Sequence, residues 1–545
     1  MNLIADLILH NGYVITLEED MESAEAVAVK DGRIIFVGTS KAALPLKGKD
    51  TKVVDLKGKA LMPGFIESHA HPLACGESFL EVDCSPGTTN SIEEILCAVK
   101  EKASTLPKGQ WILGRGWDDS KLSEKRVPTR WDLDQISPDH PVFLKRTCGH
   151  VAVANSKALE IGGVTMDSID LPGGHIQKDV VSGEPTGILE ERAQELIPIP
   201  EYSDESLREG MLLAQEQFAK WGITTIHDLS AQKRELGVYQ NLFKNDELSV
   251  RYRLWLWALP DLHEPGVLNE VIGLGIYSGF GDKFINVQGV KFMLDGSIGG
   301  KTAAVKESYL HSDGNMGILY KKESDLAPHV ISAIKSNLRV SMHAIGERAI
   351  DQALNILEKA AEEAESAVSM RNRIEHCTLA NEEHVKRFKK LGVVVGSSTG
   401  FLYPSADNYV RVLGKERAER VFPHQWYKKY GVIAPGNSDV PVVSGNPFLG
   451  IYGLVTRKTE GGLVLGEDQG ITVIDALKAY TIDGAYSSFE EDILGSIKEN
   501  KLADMIVLSE NPLFIDPEEL KDIEVEMTVF NGKVTFIKEG TAIHS

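Results

Sequence analysis

Short apolar runs, each closed by glycine, aspartate or histidine, recur along this chain and set its predicted elements. At the amino end, ADLILHNGYVITL (5–17) and AVAVKDGRIIFVG (26–38) put Asn11-Gly12 and Asp31-Gly32 between apolar stretches. That is the pattern of tight hairpins, whose turn residues must accept positive φ. At the carboxyl end, ADMIVLSENP (503–512) reads as a strand and a turn, and EMTVFNGKVTFIKEG (526–540) as a hairpin around Asn531-Gly532. Neither end has enough strands to bury a sheet face alone. The two are therefore expected to meet in one β-sandwich, built from 1–60 and 483–545.

The middle alternates strand and helix patterns. Apolar runs begin at Leu61 (LMPGFIES), Gly222 (GITTIHD), Arg251 (RYRLWLW), Val287 (VQGVKFML), Arg339 (RVSMHA), Arg373 (RIEHCTL), Gly392 (GVVVGSS) and Val432 (VIAPGNSD). Helical periodicity lies between some of them, as in Ile350 to Ala364. Eight such units predict an α/β fold of the TIM (β/α)8 barrel type, here over 61–74 and 203–482. Between the first and second runs, 75–202 is too long for a structureless loop. It carries patterns of its own, such as WILGRGWDD and HVAVANSKALE, and reads as an inserted α+β domain.

Composition narrows the function. A chain of 545 residues with 42% hydrophobic and 25% charged residues is that of an ordinary globular enzyme. A formal net charge of -21 argues against nucleic acid or an anionic membrane surface as partner, since both call for a basic footprint. Cys75, Cys84, Cys97, Cys148 and Cys377 are few and scattered, which points away from a disulfide framework and towards a reducing compartment. The N-terminus lacks a signal-peptide pattern, and no apolar stretch approaches membrane-spanning length. The expectation is a cytoplasmic enzyme acting on a small molecule.

The histidines fall at the predicted strand ends. His69 and His71 close the first strand, two residues apart and so on one face. His343 ends the fifth, His376 the sixth and Asp439 the eighth, while Lys291 lies in the fourth. A TIM barrel gathers the C-terminal ends of its strands into one active site. Imidazoles and a carboxylate converging there suit a divalent metal, zinc first. Such an ion would lower the pKa of a bound water to about 7. Asp439 could then take the proton from that water and pass it to a leaving amine. There is no dinucleotide fingerprint or H-E-x-x-H to support a competing chemistry.

PGFIESHAHP, the strand-four lysine, the single histidines on strands five and six and the strand-eight aspartate resemble the amidohydrolase superfamily. The insertion, through WILGRGWDDSKL, PTRWDLDQISPDHPVFLKR, GHVAVANSKALE and GEPTGILEERA, is similar to its family 3 branch, which includes N-substituted formamide deformylases. The resemblance implies an N-carboxylated Lys291 between two metals, with His69, His71 and Asp439 on one and His343 and His376 on the other. A mononuclear site, with Lys291 instead paired to an acid such as Asp295, is the alternative. The resemblance also implies a homodimer. His227, Asp295 and, from the insertion, Trp117, Asp118 and His150 are candidate substrate contacts. The expected reaction is hydrolysis of a non-peptide C–N bond of amide or formamide type. Heterocycle deamination, ester or lactone hydrolysis, and a catalytically retired binding protein are the other readings.

Overall fold

The computed structural model describes residues 4–147, 149–260 and 265–541, so Cys148 lies outside the described residues. By internal contacts the chain divides into two compact units, Met1–Pro72 with Gln215–Ser545, and Leu73–Ala214.

The larger unit holds a parallel barrel. Its strands are β1 (Phe65–Ala70), β2 (Ile223–Ala231), β3 (Arg251–Trp257), β4 (Ile285–Met293), β5 (Arg339–Ala344), β6 (Arg373–His376) and β7 (Val394–Gly396), hydrogen-bonded in that order. The eighth place, expected as a strand from Val432, is filled by an irregular extended segment with a single bridge, Ser397 to Gly436. Pro435 has no N–H to give to a ladder. The segment still closes the barrel: the Val395 N–H donates to the Ile433 carbonyl at 3.0 Å on one side, and the Asp439 N–H to the His69 carbonyl at 3.0 Å on the other. The outcome is the expected α/β barrel with accessory sheets.

Two of those sheets unite the termini. One runs Arg33–Gly38, Ala26–Lys30, Ala5–His10, Lys47–Asp55. The other runs Lys533–Ile537, Val525–Phe530, Met505–Leu508, Ala60–Pro63, Tyr13–Glu18, Met21–Ala24, so the C-terminal strands pair with N-terminal ones. Leu7, Val27 and Ile34 of the first pack with Val14, Leu61, Met505 and Val529 of the second in one core. Asp31-Gly32 and Asn531-Gly532 turn true hairpins, with positive φ at all four residues. Asn11-Gly12 does not. The strands it joins belong to different sheets, and positive φ occurs at Asn11 (57°) but not Gly12. Gly12 is small because a Cβ there would strike the Leu56 side chain.

A buried ion pair ties this sandwich to the barrel. Arg251, fully buried on β3, donates from Nε and Nη2 to the two Asp504 oxygens at 2.7 and 3.0 Å. Removing one partner leaves an uncompensated buried charge, so Asp504→Ala should cost about 3–5 kcal/mol. Denaturant melts measure this, and an unchanged midpoint would show that water or another group takes over.

The smaller unit is a mixed sheet in the order Gly174–Lys178, Pro185–Glu191, Val151–Ala154, Val142–Arg146, Ile112–Trp117, Val82–Asp83. The helix Ile92–Thr105 buries Ile95 and Val99 in one core with Trp117 and Leu144, and the helix Ser156–Ile161 buries Ala158 and Leu159 in a second with Phe143 and Ala152. Among the described residues no helix is long and apolar enough to cross a membrane.

Candidate metal centre

The C-terminal ends of the barrel strands bring His69, His71 and Asp439 together, one ligand atom from each lying within 4.8 Å of the others. The Asp439 Oδ1 is 3.0 Å from His71 Nε2 and 3.5 Å from His69 Nε2. It is nevertheless buried without a hydrogen bond. Such an orphan acceptor facing two imidazole nitrogens is what a cation satisfies.

The far side of each ring is occupied. His69 Nδ1 meets Glu375 Oε2 at 2.9 Å, His71 Nδ1 meets Ser230 Oγ at 2.8 Å and His376 Nδ1 meets Ser398 Oγ at 2.7 Å. Those contacts leave the three Nε2 atoms to face inward. His343 is the reverse. Its Nε2 lies 3.2 Å from the Gly296 carbonyl, which leaves Nδ1 as the nitrogen with a lone pair. The ring centroids form a chain, His71 to His69 at 5.7 Å, His69 to His376 at 4.8 Å and His376 to His343 at 4.4 Å. His376 at the end of β6 and Asp439 in the closing segment both take the left-handed conformation, with φ of 67° and 57°. Non-glycine residues held so are concentrated at functional sites.

The protonation states suit cation binding. Burial, with the charge on Lys291, lowers His69 to about 4 and His343 to about 3, and burial beside His343 and His69 takes His376 well down. Burial alone would raise the Asp439 carboxyl, but His69, His71 and His376 outweigh it and hold the acid well below the carboxylate range. Neutral imidazoles and an ionised carboxylate are the ligand forms a metal requires. His71 alone is raised: its contact with Asp439 outweighs burial.

Lys291 is 2% exposed, and among the described residues its Nζ makes no hydrogen bond or ion pair. Burial lowers it to about 8 against the pull of Glu375 and Asp439. Asp295 is occupied elsewhere. It accepts the N–H groups of Ala304, Ile345 and Gly346 at 2.9–3.0 Å, and its Oδ1 lies 3.5 Å from His343 Nε2. His227 is fully buried, with Nδ1 3.1 Å from Arg373 Nη1. In the smaller unit, Trp117 is buried and donates from Nε1 to the Leu144 carbonyl, Asp118 pairs with Arg146 at 3.0 Å, and exposed His150 sits 3.0 Å from Glu191. Cys377, beside His376, is fully buried, which pushes its thiol well up, away from the reactive thiolate.

Glu67, Arg373 and Glu375, which the sequence reading passed over, hold this site together with Asp228. The Glu67 carboxyl, its pKa pushed up by burial to about 8, accepts from the Ser438 N–H and hydroxyl and from the His69 N–H, joining β1 to the closing segment. Asp228 accepts from the Ser230 N–H and the Tyr239 hydroxyl and so fixes the partner of His71. Glu375 and Arg373 lie beneath His69. For Glu67 the available signal is a carboxylate two residues before His69.

Comparisons with known proteins agree with this geometry. The model of the amidohydrolase family matches residues 52–536. The chain is 31% identical to YtcJ of Bacillus subtilis (strain 168), over 97% of this chain and 99% of that one. It is 25% identical to the N-substituted formamide deformylase of Arthrobacter pascens, over 99% and 100%. A solved structure described as an uncharacterized metal-dependent hydrolase from Pyrococcus horikoshii OT3 superposes with a TM-score of 0.76 at 28% identity, covering 94% of this chain and 99% of that one. The chain belongs to the amidohydrolase family, as a metal-dependent hydrolase acting on a carbon–nitrogen bond.

Proposed function

We propose that this enzyme hydrolyses a small non-peptide amide of the N-substituted formamide type, with His69, His71 and Asp439 holding one divalent cation. The observation that carries the reading is the orphan Asp439 Oδ1 faced by two histidine Nε2 atoms. The full-length similarity to a formamide deformylase supports the substrate class. Zinc is the metal that best suits this imidazole and carboxylate set. His343 through Nδ1, His376 through Nε2 and Lys291 as its N-carboxylate would hold a second ion. Bound there, the metal supplies a Lewis acid and makes water acidic enough to ionise near neutral pH.

The chain's own groups do the rest. Asp439 accepts the proton of the attacking water and returns it to the amine nitrogen as the C–N bond breaks. Ser230 and Ser398 keep the rings of His71 and His376 from turning, so that part of the site is organised before substrate arrives. His69→Ala or His71→Ala should lower the metal content of the purified protein, read by elemental analysis. Wild-type stoichiometry in both would refute the ligand assignment. Chelator-treated enzyme should lose turnover of N-formyl amines and regain it with Zn²⁺ and bicarbonate. Turnover indifferent to metal removal would dispose of the mechanism.

A further inference from the structure

We infer that Glu375 is a positioning residue for the metal centre: its carboxylate fixes the tautomer and orientation of the His69 ring, and Arg373 fixes Glu375. The inference rests on the reading of His69 as a ligand.

Of the four histidines at the barrel mouth, His69 alone has a carboxylate behind its Nδ1, and His71 and His376 have serine hydroxyls there. A hydroxyl can donate or accept, so it does not by itself set the ring tautomer, and Ser230 does so only through Asp228, to which its hydroxyl donates at 3.3 Å. A carboxylate only accepts, so the His69 proton must sit on Nδ1 and the lone pair on Nε2, the atom that faces Asp439. Glu375 is kept in that form by its own contacts. Arg373 donates from Nε to Oε1 at 2.7 Å and from Nη2 to Oε2 at 2.8 Å, and the Ser341 hydroxyl donates to Oε1 at 2.7 Å.

Arg373 is in turn anchored on the strand that carries His69, donating from Nη2 to the Ser68 carbonyl at 2.8 Å. The neighbouring strand leaves room for the pair. A Cβ at Gly396 of β7 would run into Glu375 Oε2 and Arg373 Nη2. Glu375 and Arg373 are both fully buried. A buried ion pair is commonly no more stabilising than a well-packed apolar pair, so stability alone does not account for it. Orienting a ligand and raising its basicity does.

The test is Glu375→Gln, which keeps the shape and removes the charge. Metal-free wild type and variant are first compared by circular dichroism and thermal melting. Zn²⁺ affinity is then measured by competition with a chromophoric chelator, and the absorption spectrum of the Co²⁺-loaded protein reports ligand geometry. The variant should fold, bind Zn²⁺ about 10–100-fold more weakly and show an altered Co²⁺ spectrum. Wild-type affinity with an unchanged spectrum would overturn the inference. If Glu375→Gln does not fold, Glu375→Asp replaces it. That variant keeps the charge but is one methylene too short to span Arg373 and His69, so weaker binding is again expected, and wild-type affinity again overturns the role. A normal Glu375→Gln beside a metal-depleted His69→Ala defeats the positioning role alone, whereas full metal in both defeats the ligand reading itself.

Discussion

Asp439→Asn should leave the protein folded and much of its metal in place while lowering kcat about a thousandfold, within the range of a lost general base. The amide keeps an oxygen where Oδ1 now stands, so a cation still finds a donor, but it cannot carry a proton from water to the leaving nitrogen. The loss should be the same across the neutral range. The histidines around Asp439 hold its carboxyl well below the usual carboxylate range. The wild-type residue is thus fully ionised throughout that range, and no part of the profile exists in which it already resembles its amide. Elemental analysis beside steady-state kinetics separates the outcomes. An Asn variant with wild-type kcat removes the proton-transfer role, and one that has lost its metal turns Asp439 into a ligand alone.

The parts of this fold legible in the sequence are those whose chemistry leaves few alternatives. His69, His71, His343, His376 and Asp439 stand out because titratable side chains closing apolar runs have little reason to be there except as a shared centre. Asp31-Gly32 and Asn531-Gly532 make the turns their residue types favour. Asn11-Gly12 has the same letters but crosses between sheets, because long-range pairing with Ala60–Pro63 decides where Tyr13–Glu18 goes. The eighth barrel element falls where the sequence predicts it but is no regular strand, since Pro435 breaks the ladder while the Ile433 carbonyl and the Asp439 N–H still bond its two neighbours. Glu375 and Arg373 were invisible as a pair: charged residues in a strand normally read as its wet face. Only the register of the closed barrel shows that this face is the interior.

Lys291 supports the other large effect. A buried lysine normally finds an acid, and the nearest expected one, Asp295, is saturated with backbone N–H donors instead. Lys291 is therefore 2% exposed with its Nζ unpartnered among the described residues, close enough to His69 and His343 for its charge to depress both. If the ammonium loses a proton and the amine then adds CO₂, a new N–C bond forms as one C=O π bond opens, a second proton leaves, and a repelling cation becomes an anionic ligand among the imidazoles. Burial has already lowered the ammonium to about 8. Below that value the nitrogen has no lone pair to give; above it the amine is free. At a fixed concentration of dissolved ¹³CO₂, uptake during reconstitution should accordingly quicken as pH rises and level off above about 8, with a carbamate carbon seen by NMR only in the presence of metal. Lys291→Met keeps the bulk and removes the nitrogen. It should bind one ion fewer and lose several kcal/mol of transition-state stabilisation, about a thousandfold in kcat/KM. A Met variant with full metal and full activity, or a reconstituted wild type without the labelled carbon, would return Lys291 to the role of a buried cation that merely balances Glu375 and Asp439.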